Sequence, residues 1–160
     1  MNKKNKSVWG TRIKGKTSNT FQKVSSSIEV DKRLFKEDII ASIAHVEMLN
    51  RQKIINFKIK NKIIWGLKKI QNQIIKKKYH FDFKDEDIHM SIEKSLFELI
   101  GDDAGFIHTA RSRNDQVLVD FKLWMINSNK KLIDLLDQTI KNILKIEFTN
   151  FQDFQKQAWR

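Results

Sequence analysis

The chain has 160 residues, 40% of them hydrophobic, and a net charge of +12 from 31 Lys and Arg against 19 Asp and Glu. It contains no cysteine, which excludes disulfides, thiol catalysis and cysteine-based metal sites and suits a reducing compartment. With no proline and only 5 glycines, long helices are permitted and a turn-rich β fold is disfavoured. The length gives room for one domain with its own core. No apolar run approaches a membrane span. The basic start MNKKNKSVWG leads into no apolar stretch and does not read as a secretory signal. The charge excess is nearly all lysine and comes with many isoleucines and asparagines. It reads as a compositional bias, not as a nucleic-acid patch.

Residues 1–30 read as an extended, surface-lying arm, with Ser25, Ser26 and Ser27 as a solvated run. A first helix is expected from an N-cap at Asp31. Phe35, Ile39, Ile43 and Val46 share one face, and the pattern runs to about Ile55. Asn56 breaks it. A second stripe follows at Ile59, Ile63, Leu67, Ile70 and Ile74, closed by Lys76, Lys77 and Lys78, whose charge complements a helix C-terminus. Residues 79–84, YHFDFK, are a connector with a strand-like alternation too short to decide. Asp85, Glu86 and Asp87 place acid in the first turn of a third helix, with Ile88, Ile92, Leu96 and Leu99 on its apolar face and His89 off it.

Gly101 ends that helix and begins the most distinctive stretch, GDDAGFIHTARSRNDQ, residues 101–116. His108, Thr109, Arg111, Ser112, Arg113, Asn114, Asp115 and Gln116 crowd hydrogen-bonding side chains between two rigid elements, where chemistry usually sits. Ser112 with Asp115 fits a capping box for a fourth helix. That helix carries Val117, Phe121, Trp124, Leu132, Leu135, Ile140 and Ile143, and is expected to end near Phe148 after roughly 35 residues, or about 50 Å. Three shorter helices cannot cover so much apolar surface. It needs later segments of a larger protein or other subunits. The last dozen residues lose the pattern.

On these residues alone, two readings of the loop stand. It is a polar helix connection with a good cap, its arginines paired with Asp102, Asp103 or Asp115. Or it is a dicarboxylate or phosphate site, because a helix N-terminus offers unpaired N–H groups and arginine holds a carboxylate through two parallel hydrogen bonds.

Residues 108–117, HTARSRNDQV, resemble the HTGRSRNDQV signature of the argininosuccinate lyases, with Ala110 in place of the glycine. Further motifs follow the same family in order. Trp9-Gly10-Thr11-Arg12 resembles WGGRF, residues 27–34 resemble SIxxDxRL, and residues 86–93 resemble EDIHMxIE. The likeness extends from about residue 8 to 148, and the RSRNDQ motif separates it from fumarases, aspartases and adenylosuccinate lyases. It implies an all-α fold: the N-terminal helical domain of a fumarase/aspartase-like fold in residues 1–111, the first long helix of its central bundle in 112–148, and a divergent or truncated tail in 149–160. It also implies β-elimination of argininosuccinate to arginine and fumarate in arginine biosynthesis, a cytoplasmic homotetramer, and no cofactor, metal, nucleic acid or membrane. The substrate-binding residues carried over are Ser27, Arg113 and Asn114. No catalytic residue is carried over. The family's GYTHLQ and SSxMPQKxN segments have no counterpart here, and His45, His80, His89 and His108 match none of its catalytic positions. The chain alone is therefore expected to be inactive. The alternatives are a non-enzymatic helical interaction module or degenerate remnant, and a basic nucleic-acid binder.

Overall fold

A computed structural model describes residues 24–82 and 85–158 of the chain. The Trp9 to Arg12 motif and most of the expected N-terminal arm lie outside these residues. The described residues form helices and irregular connections, with no strand among them. They comprise α1 (Ile28–Asp31), a 3-10 turn (Lys32–Leu34), α2 (Phe35–Arg51), α3 (Phe57–Ile75), α4 (Ile88–Ile100), a 3-10 segment (Gly101–His108) and α5 (Arg113–Ala158).

The first helical run opens earlier than its sequence suggests. Ser27, not Asp31, precedes α1 as its N-cap, and Asp31 sits inside the run with φ −85° and ψ −12°. A residue with helical dihedrals cannot cap from an extended conformation. The Asp31 carboxylate turns instead to the next free helix terminus, where Oδ1 accepts from the Ile88 N–H at 3.2 Å. α2 buries Ile39, Val46 and Leu49 completely, with Phe35 and Ile43 partly covered beside them. It stops at Arg51, short of Ile55. Lys53 takes a φ of 61°, and Ile55 folds back as a buried loop residue whose carbonyl accepts from Asn50 Nδ2 at 3.0 Å.

Asn56 breaks the pattern as expected and caps α3, its Oδ1 accepting from the Ile59 N–H at 2.9 Å. Ile63, Leu67 and Ile70 are fully buried. The connector holds no strand in its described residues 79–82. Tyr79 anchors it, its hydroxyl 2.9 Å from the Ser91 carbonyl and 2.7 Å from Ser95 Oγ, with its ring edge-on to Phe81. The acids that follow precede α4 instead of entering its first turn. Asp87 is the N-cap, accepting from the Met90 N–H at 2.6 Å, and the buried Asp85 pairs with Lys94 at 3.1 Å.

α2, α3 and α4 pack around one core. Their closest approach falls at Gly66 of α3, where an added Cβ would lie 2.5 Å from Leu96 Cδ1 of α4. α4 ends at Gly101, whose φ of 71° is the left-handed region that favours glycine.

α5 is 46 residues long, about 70 Å at 1.5 Å per residue. Of its residues only Gln116 and Asp120 are buried, against α2 and its preceding 3-10 turn. Asn127 Nδ2 still reaches Glu37 on α2 at 3.2 Å, and from Lys130 onward every described residue is exposed. The helix continues ten residues past the expected end at Phe148. Phe148, Phe151 and Phe154 recur every third position and extend the apolar stripe into the tail. Among the described residues, α5 from Lys130 onward therefore finds no cover, as its length and apolar stripe lead one to expect. Among the described residues no helix is long and apolar enough to cross a membrane.

Gly66→Ala is expected to lower stability by a net of about 1 kcal/mol. Overpacking against the buried Leu96 side chain outweighs the gain in helix propensity. Denaturant unfolding measures it, and a more stable variant would show that α3 and α4 can move apart freely.

Candidate functional site

The N-terminus of α4 is the meeting point of the polar residues. α1 approaches it from one side. The Ser27 N–H donates to the Glu86 carbonyl at 2.8 Å, and the Ser26 hydroxyl donates to the Asp85 carbonyl at 3.1 Å. Ser27 Oγ donates to Asp31 Oδ2 at 2.5 Å, while the other oxygen of that carboxylate holds Ile88. Burial raises the Asp31 pKa, opposed by the Ser27 hydroxyl and helped by the nearby Asp87 charge.

The loop before α5 approaches from the other side. Ser112 and Asp115 form the expected cap. Asp115 Oδ2 accepts from the Ser112 N–H at 3.3 Å, and Ser112 Oγ accepts from the Asn114 N–H at 3.2 Å. Arg113, the first residue of α5, does not pair with Asp102, Asp103 or Asp115. It donates to Glu93 Oε2 at 3.1 Å and to Gln116 Oε1 at 2.9 Å, and its Nε lies 3.8 Å from Asp87 Oδ2. Asp103 is taken by Lys62 instead, at 2.5 Å.

Glu93 is a second anchor for the loop. Its Oε2 also meets His108 Nε2 at 2.7 Å. Burial alone would raise this carboxyl, but the His108 and Arg113 bonds and charges outweigh it and hold the pKa below its ordinary value. His45 Nε2 lies 3.0 Å from the Thr109 carbonyl, with its pKa lowered by burial and by the Arg111 charge. Both histidines hold backbone or carboxylate partners, as supports for the loop.

Of the three expected substrate-binding residues, Arg113 and Asn114 are neighbours in the first turn of α5, and Asn114 is exposed. Ser27 meets the start of α4, not of α5. It reaches Arg113 through Asp31, the first turn of α4 and Asp87. Helix N-termini, a half-exposed guanidinium, an exposed amide and a serine hydroxyl thus gather at one end of the helical unit. That set can hold carboxylates.

Beneath this surface lies a group that periodicity did not reveal. His89 is buried, not off the apolar face, because its spacing to Ile92 and Leu96 keeps it at the edge of the same stripe. Its Nδ1 is 3.0 Å from Asp38 Oδ1 on α2 and 3.3 Å from Asp120 Oδ2 on α5. Gln116 Nε2 also donates to Asp38 Oδ1. Burial raises Asp38, but the His89 bond and charge and the Gln116 amide bring its pKa below the ordinary value. Asp120 is pushed up to about 8, by burial first and then by the Asp38 charge. Asp38, His89 and Asp120 each offer an atom within 4.8 Å of the others, a spacing compatible with a metal ion. The chemistry of the set fits one poorly. An amide N–H already points at Asp38, and the Arg111 guanidinium stands beside both carboxylates. One signal in the sequence could have found this cluster. Gln116 and Asp120, and likewise Asp38 and Ser42, are polar pairs at helical i, i+4 spacing beside apolar stripes.

The chain belongs to the lyase family: a family model described as Lyase matches residues 11–156. Within that class its relatives are argininosuccinate lyases. The argininosuccinate lyase of Pelagibacter ubique (strain HTCC1062) is 59% identical over 151 residues, which is 94% of this chain and 33% of that protein. That of Ehrlichia chaffeensis (strain ATCC CRL-10679 / Arkansas) is 48% identical over 90% of this chain and 31% of its own length, and that of Campylobacter jejuni (strain RM1221) 46% over 86% and 30%. The chain thus spans about a third of the length of the curated relatives it matches.

The signature loop departs from its family form at Ala110, and the structure shows what that departure costs. Ala110 has a φ of 55°, where a Cβ crowds the following carbonyl. Ala110→Gly is expected to raise stability by about 0.5 kcal/mol. Relief of roughly 1 kcal/mol of strain is partly offset by the greater freedom of glycine in the unfolded chain. A thermal or denaturant melt reads this, and a loss of stability would mean that the turn stores no strain.

Proposed function

We propose that this chain supplies the substrate-binding end of an argininosuccinate lyase, which splits argininosuccinate into arginine and fumarate by β-elimination. The observation that carries the reading is the identity of 59% to the Pelagibacter enzyme over 94% of the chain, with the RSRNDQ residues leading into α5 and Arg113 meeting Asp87 and Glu93 at the start of α4. In this reaction a base takes a proton from the carbon next to a carboxylate. The carbanion needs its charge spread into that carboxylate, and an acid assists departure of the guanidino group. Fixed donors aimed at the carboxylate lower the barrier. Arg113, Asn114 and Ser27 take that part in this chain. Arg113 and Asn114 hold and orient the substrate carboxylates from the first turn of α5, and Ser27 adds a hydroxyl from the start of α1. The groups that move protons are contributed by segments outside these helices.

In this reading residues 1–111 are the N-terminal helical domain, and α5, from Arg113 to Ala158, is the first long helix of a central bundle. The assembly is a homotetramer in the cytoplasm, serving arginine biosynthesis. The apolar stripe of α5, exposed from Leu132 to Phe154, supports such an assembly and equally supports the alternative of a non-enzymatic helical interaction module.

The purified 160-residue chain is expected to release no fumarate from argininosuccinate. Mixed with a polypeptide carrying the remaining two thirds of a relative, it is expected to gain turnover, and Asn114→Ala is expected to reduce that gain by about a hundredfold. Ultraviolet absorbance of fumarate follows both. Turnover by the pure chain would contradict the division of labour. Undiminished turnover with Asn114→Ala would remove the carboxylate-holding role, and a stable mixed complex without turnover would favour the interaction module.

A further inference from the structure

Beneath the substrate-binding loop, three helices bring two carboxylates together away from solvent. Asp38 comes from α2 and Asp120 from α5, both fully or almost fully buried, and His89 of α4 touches each. Their partners differ. Asp38 Oδ1 accepts from His89 Nδ1 and from Gln116 Nε2, the environment of a charged carboxylate. Asp120 has no hydrogen-bond donor on either oxygen. An ionised, buried carboxylate without a donor carries a heavy desolvation cost. The groups facing Asp120 do not remove that cost. α2 presents Asp38 and Glu37, both of which repel a second negative charge. α4 presents His89, whose one facing nitrogen lies nearer to Asp38. The loop presents Arg111, which offers a single positive charge for the pair, while its own Nε has no partner and its Nη2 is spent on Ser42 Oγ at 3.2 Å. One proton held between the two carboxylates supplies the missing bond and leaves one negative charge against Arg111.

The cluster is wired to the surface. Gln116 donates to Asp38 through Nε2 and accepts from Arg113 Nη1 through Oε1 at 2.9 Å. One amide therefore joins the buried pair to the guanidinium of the loop.

We propose that Asp38 and Asp120 share a proton, and that this pair is a positioning device which sets Arg113 through Gln116. Asp120 is a positioning residue in this scheme, not a catalytic one. When the proton leaves for solvent, two like charges face each other between α2 and α5, and Gln116, tied to Asp38, shifts with them. That Arg113 binds substrate rests on the function proposed above. The shared proton and its relay to Arg113 do not, so both are read on the 160-residue chain without any turnover.

The raised Asp120 pKa fixes the sign. The stability it contributes is fully present below the ordinary carboxylate pKa and is lost as pH rises through about 8. Carbon-13 NMR of the aspartate carboxyls is expected to show one group titrating near that value, absent in Asp120→Asn, with the Arg113 Nε resonance moving at the same midpoint. The melting temperature of the wild type is expected to fall by several degrees as pH rises from the ordinary carboxylate value of 3.8 to about 8 and to level off above it, whereas Asp120→Asn, which keeps a neutral donor, lacks that fall. Gln116→Met, which removes a donor from Asp38, is expected to keep a carboxyl titrating at about 8 or above and to silence the response of Arg113. Glu93 also holds Arg113, so a midpoint of Arg113 that persists in Asp120→Asn would arise outside the buried pair and would overturn the relay. No carboxyl titrating above the ordinary range would overturn the shared proton. So would a rise in melting temperature on adding Zn²⁺ or Mn²⁺ that Asp120→Asn abolishes, because a cation would then occupy the position of the shared proton.

Discussion

The buried polar contacts that join α2, α4 and α5 converge on Asp38. Its carboxylate accepts from His89 on α4 and from Gln116 on α5 while itself belonging to α2. Apolar packing holds α2, α3 and α4 around one core, but stripes of isoleucine and leucine tolerate small rotations of one helix on another. Hydrogen bonds to a buried carboxylate do not tolerate them, since a lost partner leaves charge uncompensated. The carboxylate thereby fixes the angle at which α5 leaves the domain. It also fixes where Arg113 and Asn114 face.

Around that fixed point the surface arrangement is a succession of compensated charges. Glu93 balances Arg113 and meets His108, Asp87 caps α4 and faces Arg113, and Asp31 occupies the N-terminus of α4 while receiving Ser27. The arginine proposed to meet substrate is held between Glu93 and Gln116 before any ligand arrives. Side-chain entropy is lost during folding and not at binding. A ligand carboxylate would meet a guanidinium whose direction is already set.

The sequence shows the helices clearly and the polar wiring poorly. Ile39, Ile63, Leu67, Ile92 and Leu96 recur at helical spacing, so their elements are legible from the residues alone. Asn56 and the Ser112–Asp115 pair mark helix starts through chemistry that is local in the chain. Asp31 misleads for the opposite reason. A capping residue type lies where a helix seems to start, but its partner is 57 positions away on α4. His89, Asp38 and Asp120 are invisible in the same way, because their contacts depend on the registers of three helices at once. The expected helix end near Phe148 fails because Phe151 and Phe154 prolong the stripe among polar neighbours that hide it. Arg113 and Asn114 stand out as candidates through the signature loop, and Ser27 through family likeness alone. The structure relates that serine to them only by way of α4.

The length of α5 beyond its last buried residue divides the molecule in how it opens. Amide hydrogens in the first two turns of α5, and in α2 and α4, are shielded by tertiary packing, and they exchange with solvent only when the domain comes apart. Those past Lys130 are held, among the described residues, by the helix's own ladder, which opens without disturbing the packed helices. The chain is thus two zones of different opening free energy along one continuous helix. A partner that covers the far zone would transmit its stabilisation back to Asp120 and Gln116 through an unbroken backbone.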